Sequence, residues 1–401
     1  MAVRGSILQT LLKNLPSKHI GRLATKYQVD RYAKEHSTVN DLHALLFFHI
    51  DEENSLTELV DNLKMNPFLL HLCGYRKPIS LSQFSRDNKN TDPCFYFEIF
   101  QQVVEHTRQL GIYKPMKKVK KLIAGYDSMF IKLNPEVFAY TKQGYCSMEN
   151  GIRWGVKVHT AVNVGIGYTP PITIKITPGN VHDSKMMETL ESDVINLFPN
   201  ETIIFIQDAG YTSLERYQRW LDEKRLFIIP LHENLTKRGR KVKTLSPYKG
   251  TGKGDYVFRH PDLKEDLRLI VFQRNGKKFR LLTNIWNYKP STIVQLYRKR
   301  WNCEVFNKEV KQHFCIKKPI GLSWNALCIQ IITAYISYLL LLIVKIISRW
   351  GGTILQIKRY VSINWWKIRP LPCGVGPPEQ LPISPVQRTN VSRNQRKFMQ
   401  R

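Results

Sequence analysis

The chain has 401 residues, room for two or three domains of ordinary size, which excludes a peptide or a small disulfide scaffold. Its 43% hydrophobic and 23% charged residues, with only 22 Gly and 21 Pro, exclude a disordered or fibrous protein. The 61 Lys and Arg against 32 Asp and Glu leave a formal charge of +29, and self-repulsion on that scale points to a polyanionic partner, nucleic acid ahead of an anionic membrane surface.

Residues 1–30 hold only a short apolar patch, Ile7–Leu12, so no signal peptide is expected. The 7 cysteines form no C-x-x-C pair and leave an odd one over, which favours a reduced, cytoplasmic compartment. Residues 1–115 read as a helical N-terminal region. Leu42, Leu45, Leu46 and Phe48, then Leu56, Leu59, Val60 and Leu63, recur at helical spacing, and Ser55 with Glu58 makes a capping box. Ile79–Asn88 carries Ser82, Ser85 and Arg86, which suits a small helix touching DNA phosphates and equally an ordinary surface helix.

After a basic linker, Pro115–Lys121, the period changes. Leu122–Leu133, Gly155–Val164, Ile172–Ile176 and Thr202–Ile206 are β-branched and alternating or continuously apolar, so strands are predicted. Helices are predicted at Asp183–Leu197 and Ser213–Lys224, with a further strand at Leu226–Ile229, an order that indicates a mixed α/β sheet. Residues 231–285 interrupt it with a basic stretch, Lys237–Lys253, and two strand-like runs, together a β-rich insertion. One long helix is predicted from Ser291, its N-cap, to about His313. Ala326–Ile347 is long enough to span a bilayer at about 20 residues. It contains Gln330 and Lys345, however, and a buried helix packed under the sheet is the preferred reading. Residues 351–401 form a basic, Pro-rich tail expected to be poorly ordered.

Two acids stand out among apolar neighbours. Asp127 lies within the first predicted strand, where a carboxylate is costly unless paired or metal-bound. Asp208 ends the strand TIIFI and precedes Gly210, at the strand end where α/β sheets gather ligands. In the helix after Pro290, Tyr297, Arg300, Glu304 and Lys311 fall within roughly 60° of one another along about 21 Å of helix. A carboxylate flanked by Tyr, Arg and Lys suits a metal at the middle of the stripe and DNA phosphates on either side; a solvated helix face is the competing account.

The Y-x2-R-x3-E-x6-K spacing of Tyr297, Arg300, Glu304 and Lys311, with Asp208 and the earlier Asp127, resembles the DDE transposases of prokaryotic insertion sequences. Among these it is most similar to the insertion sequence four family; the TPGNVHDS stretch, Thr177–Ser184, adds to the likeness, which covers about residues 40–345. The resemblance implies an RNase H-like catalytic core over residues 116–350, with the β-rich insertion at 231–285 and residues 1–115 as a helical DNA-binding region. It implies Asp127, Asp208 and Glu304 as catalytic ligands of two Mg2+ ions, with Mn2+ as a substitute, and cut-and-paste transposition by phosphoryl transfer. The implied partners are terminal inverted repeats and target DNA, bound by a homodimer with no membrane, in the cytoplasm at the nucleoid. No covalent intermediate is implied, so Cys303 beside Glu304 is expected only to pack.

Tyr297, Arg300, Lys311, Lys237, Arg238, Arg240 and Lys241 are candidate DNA contacts. Trp301 and Trp286 are candidates for stacking on a base turned out of the duplex, with core packing as the favoured alternative. Asp183 is expected to cap its helix and His159 to be structural. The rival to an active enzyme is a catalytically inactive or repurposed DNA-binding relative.

Overall fold

The computed structural model describes residues 6–368 except 32, 34, 117–118, 147–149, 166, 209–213, 232–245, 248–253 and 275. Seven helices precede the first strand among these residues: α1 (Ile7–Leu12), α2 (Ser17–Tyr27), α3 (Thr38–Asp51), α4 (Leu56–Met65), α5 (Pro67–Leu72), α6 (Leu81–Asn90) and α7 (Pro93–Gln109). Ser55 caps α4 by accepting from the Glu58 backbone at 3.1 Å, but the Glu58 carboxylate turns to the backbone N–H of Asn54, so the expected box is only half made. Ser82, Ser85 and Arg86 lie on the exposed face of α6, whose Phe84 is buried.

The strands β1 (Leu122–Lys132), β2 (Lys142–Cys146), β3 (Gly151–Asn163), β4 (Pro171–Pro178), β5 (Ile203–Ile206) and β6 (Leu226–Pro230) are interleaved with α8 (Asp183–Leu197) and α9 (Leu214–Asp222). Continuing the same sheet are β7 (Ser246–Pro247), β8 (Asp255–Phe258), β9 (Leu267–Arg274) and β10 (Lys277–Thr283). The order is β2-β3-β1-β5-β6-β10-β9-β8-β7, with β4 also on β3. β1 runs parallel to β5 and β5 to β6, whereas β1, β3 and β4 pair antiparallel, which makes the sheet mixed.

The two faces are covered differently. Thr160 lies opposite Asp127 and bonds Tyr335 at 2.9 Å, which marks the face turned to the C-terminal helices. His159 lies opposite Ser128 on the other face, against α8. There Glu191 of α8, fully buried, accepts from Trp220 of α9 at 3.0 Å and pairs with Arg219 and Arg225, so its buried charge is compensated.

The single helix predicted from Ser291 to His313 is instead two, α10 (Pro290–Arg298) and α11 (Trp301–His313). The backbone tightens between them: Arg300 N bonds Tyr297 O at 2.9 Å and Cys303 N bonds Arg300 O at 2.8 Å, three-residue spacings that break the helical phase. The cap is Lys289 rather than Ser291, because Pro290 takes the first helical position, where its missing N–H costs nothing.

Helix α12 (Trp324–Ile347) is buried along residues 326–345. Its cover comes chiefly from α7 and α3, while Tyr335 reaches the sheet through Thr160 of β3, so the helix is buried between the N-terminal helices and the sheet face. Its polar groups are satisfied inside the fold: Gln330 donates to Lys318 O at 2.9 Å, and Lys345 donates to Trp350 O at 2.9 Å. His49 of α3 bridges Phe314 O at 2.7 Å and Thr333 at 3.0 Å. The tail does not begin loosely. Thr353 and Gln356 form a capping box that starts α13 (Ile354–Asn364), which buries Ile357 and Val361 and pairs Lys358 with Glu52 at 2.7 Å.

Candidate active site

The strands β1 and β5, which pair in parallel, lead to the two strand acids. Leu122 faces Ile203 and Gly125 faces Ile206; Asp127 lies two residues beyond Gly125 on β1 and Asp208 two residues past the end of β5, and the Arg300 guanidinium feels the charges of both Asp208 and Glu304. Helix α11 crosses β1 at the same point. Gly125 permits the crossing, since a Cβ there would stand 2.4 Å from Cys303 Sγ and 3.0 Å from Val164. Cys303 is buried with its thiol held well above the usual range by desolvation, so it packs and is no nucleophile.

This docking aims one face of α11 at Asp127. Asn307 Nδ2 donates to Asp127 Oδ2 at 2.9 Å. Burial pushes the Asp127 carboxyl up to about 6, against the lowering effect of the Asn307 hydrogen bond and the Arg300 charge and with the raising effect of Glu304. Glu304 accepts from Arg300 Nη2 at 2.6 Å. Burial works against the Arg300 charge, yet Tyr297, Asp208 and Glu304 outweigh it. Burial also pushes the Tyr297 phenol up to about 12, with its ring 6.0 Å from the guanidinium.

Asp208 is exposed at the wall of a cavity of about 520 Å³, together with Tyr297, Arg298, Arg300 and Trp301. The opposite wall is the β9–β10 hairpin, which contributes Phe272, Lys278, Phe279 and Arg280. The cleft is therefore cationic and aromatic around an acid. Trp301 is 62% exposed there, which corrects the expectation of core packing. Trp286 is half-buried, its carbonyl accepting from Arg268 at 3.1 Å, and it does not line this cleft. Lys311 points elsewhere on the same helix, with its ammonium donating to Phe130 O of β1 at 2.6 Å. The candidate contacts Lys237, Arg238, Arg240 and Lys241 lie outside the described residues.

Asp183 is not the cap of α8; His182 is. Burial disfavours the Asp183 charge, but the His159 hydrogen bond and the Lys157 ammonium, 3.3 Å away, hold its carboxyl down at about 2. His159 is fully buried and bonds Thr177 at 2.8 Å, as a structural histidine does. Sequence reasoning missed Asn307, Lys278 and Arg280. The signals were present: Asn307 follows Glu304 by three residues on one helix face, and Lys278 and Arg280 alternate along one strand.

Residues 120–340 match the family described as the transposase DDE domain, more than half of the chain. The chain belongs to the DDE transposase family. Residues 3–76 match a second family, a domain of unknown function designated DUF4372. The chain has relatives named as transposases. It is 28% identical over 198 residues to a probable transposase for insertion sequence element IS5377 of Geobacillus stearothermophilus, spanning 48% of this chain and half of that relative. A putative transposase for element IS4SA of Synechocystis sp. is 27% identical over 292 residues, 71% of this chain and 77% of the relative. A putative transposase y4zB of Sinorhizobium fredii is 27% identical over 256 residues, 60% and 66% of the two chains.

DDE transposases use divalent metals, and the site's chemistry suits one. Three carboxylates make an all-oxygen donor set for a hard cation, and Asn307 Oδ1 is a buried acceptor with no partner in the fold. The three acids are not drawn to within 4.8 Å of one another, a spacing that among the described residues belongs to His36, Asp41 and Asp87. That second group joins the N-terminal helices, with Tyr75 donating to Asp41 at 2.6 Å and His36 bonded to Asp87 at 3.1 Å.

Proposed function

We propose that this chain is a cut-and-paste DNA transposase of the insertion sequence four type, cleaving element ends and joining them to target DNA. What supports the reading is one helix: Arg300 at its start bonds Glu304 and lines a cationic, aromatic cleft with Asp208, and Asn307 on the same helix bonds Asp127. The strand order β4-β3-β1-β5-β6, three antiparallel then two parallel, supports an RNase H-like core for it. Residues 1–115 serve as the helical DNA-binding region, and the β-rich insertion at 231–285 walls the cleft.

Asp127, Asp208 and Glu304 would hold two Mg2+ ions, replaceable by Mn2+. Such ions, when bound, activate the attacking oxygen and stabilise the leaving one. Arg300 restrains Glu304 and, with Tyr297, places the scissile phosphate without reading a base, while Lys311 ties its helix to β1 through the Phe130 carbonyl. Lys278, Arg280 and Arg298 line the path of the duplex, and Trp301 offers a stacking face for a displaced base. A homodimer in the cytoplasm, at the nucleoid, joins two terminal inverted repeats.

Asp127→Asn, Asp208→Asn and Glu304→Gln should each lower cleavage of end DNA by at least about 1000-fold in Mg2+ while leaving end binding nearly intact, because affinity comes from Lys and Arg. A wild-type chain that binds end DNA and cleaves none in either metal would instead indicate an inactive or repurposed relative.

A further inference from the structure

Asn307 is 4% exposed on α11, one turn beyond Glu304 and on the same face. Its amide is used at one end only: Nδ2 donates to Asp127 Oδ2 at 2.9 Å, and Oδ1 is buried with no donor. A buried amide that served packing alone would have both ends bonded, since an orphaned acceptor costs about 1–3 kcal/mol. Cys303 seated over Gly125 holds the helix down at this point, so the side chain has little freedom to seek another partner.

We propose that Asn307 is the positioning residue of the acid cluster: it fixes the Asp127 carboxylate for a divalent cation and leaves its own Oδ1 as an acceptor for water held by that cation. The inference rests on the metal-dependent reading above and adds a residue to it. Asn307 acts through Asp127 and never touches DNA. A partner that orients a ligand carboxylate typically governs metal affinity by 10–100-fold.

The test uses the full chain without DNA, titrated with Mn2+ by calorimetry and by the spin-resonance signal of free Mn2+. Asn307→Leu should weaken Mn2+ binding by at least about 10-fold, while its melting temperature changes little, because losing the orphaned Oδ1 offsets the donor that Asp127 loses. The Mg2+ concentration that half-saturates end cleavage should rise in parallel, with end-DNA affinity unchanged. Should the Leu variant fail to fold, Asn307→Ala is read in the same way. Wild-type Mn2+ affinity in a folded Asn307 variant, beside lost binding in Asp127→Asn, overturns the positioning role alone. Wild-type Mn2+ affinity in Asp127→Asn overturns the metal site itself, and the positioning role with it.

Discussion

Gly125 on β1 lies directly beneath Cys303 on α11, so close that a Cβ on residue 125 would stand 2.4 Å from the thiol sulfur. The close approach lets Asn307 reach Asp127 from the helix above. Gly125→Ala should cost about 1–3 kcal/mol through overpacking and should depress end cleavage further than the stability loss accounts for. Pairing it with Cys303→Ala removes the clashing sulfur, so the double variant should recover at least about 1 kcal/mol relative to additivity. Strictly additive unfolding energies would show that the helix is not seated by this contact.

Arg300 caps the helix that carries Lys311, and the two face different partners. Arg300 lines the cleft and bonds Glu304, whereas Lys311 is engaged by the Phe130 carbonyl. Arg300→Ala should reduce the salt slope of end-DNA binding by about one charge and weaken scrambled DNA equally. Lys311→Ala should change the slope less and lower the melting temperature more. Affinities measured at several salt concentrations separate the two, and equal slope changes would contradict the assignment.

Trp301 is exposed, so Trp301→Ala should leave stability within about 0.5 kcal/mol of wild type. If it stacks on a displaced base, the loss should be about 1–3 kcal/mol of end-complex stability. A 2-aminopurine placed near the cleavage point should then lose its binding-dependent fluorescence change. Unaltered fluorescence and cleavage would remove stacking from the mechanism.

Glu53 is buried, with Asn62 donating to Oε1 at 2.6 Å and Oε2 left without a partner. Burial pushes its carboxyl up to about 7, with the Asn62 hydrogen bond opposing. The folded chain therefore binds this proton more tightly than the unfolded chain. Its stabilising effect is complete below the ordinary carboxylate range near 4.5 and disappears as the pH rises through about 7. Glu53→Gln should raise the melting temperature at pH 8 by a few degrees, flatten stability between pH 5 and 8, and matter little at pH 4. A variant with the wild-type pH profile would refute the assignment.

Local chemistry made much of this protein legible from its sequence. β-branched alternation marked β1, β3 and β4, the Ser55 cap and apolar period marked α4, and the spacing from Tyr297 to Lys311 marked an acid-bearing helix. These signals depend on neighbours a few residues away, so they survive without knowledge of the fold. Long-range choices did not show. The pairing of β1 with β5 depends on which strands meet, the role of Gly125 on which helix crosses it, and the half-bonded state of Asn307 on both. The break at Lys299–Arg300 splits a stripe that looked continuous, because a tightened turn changes the phase without changing the residue spacing. Composition alone left α12 ambiguous; its cover by α3 and α7 comes from helices more than 200 residues earlier in the chain, and only tertiary packing decides that.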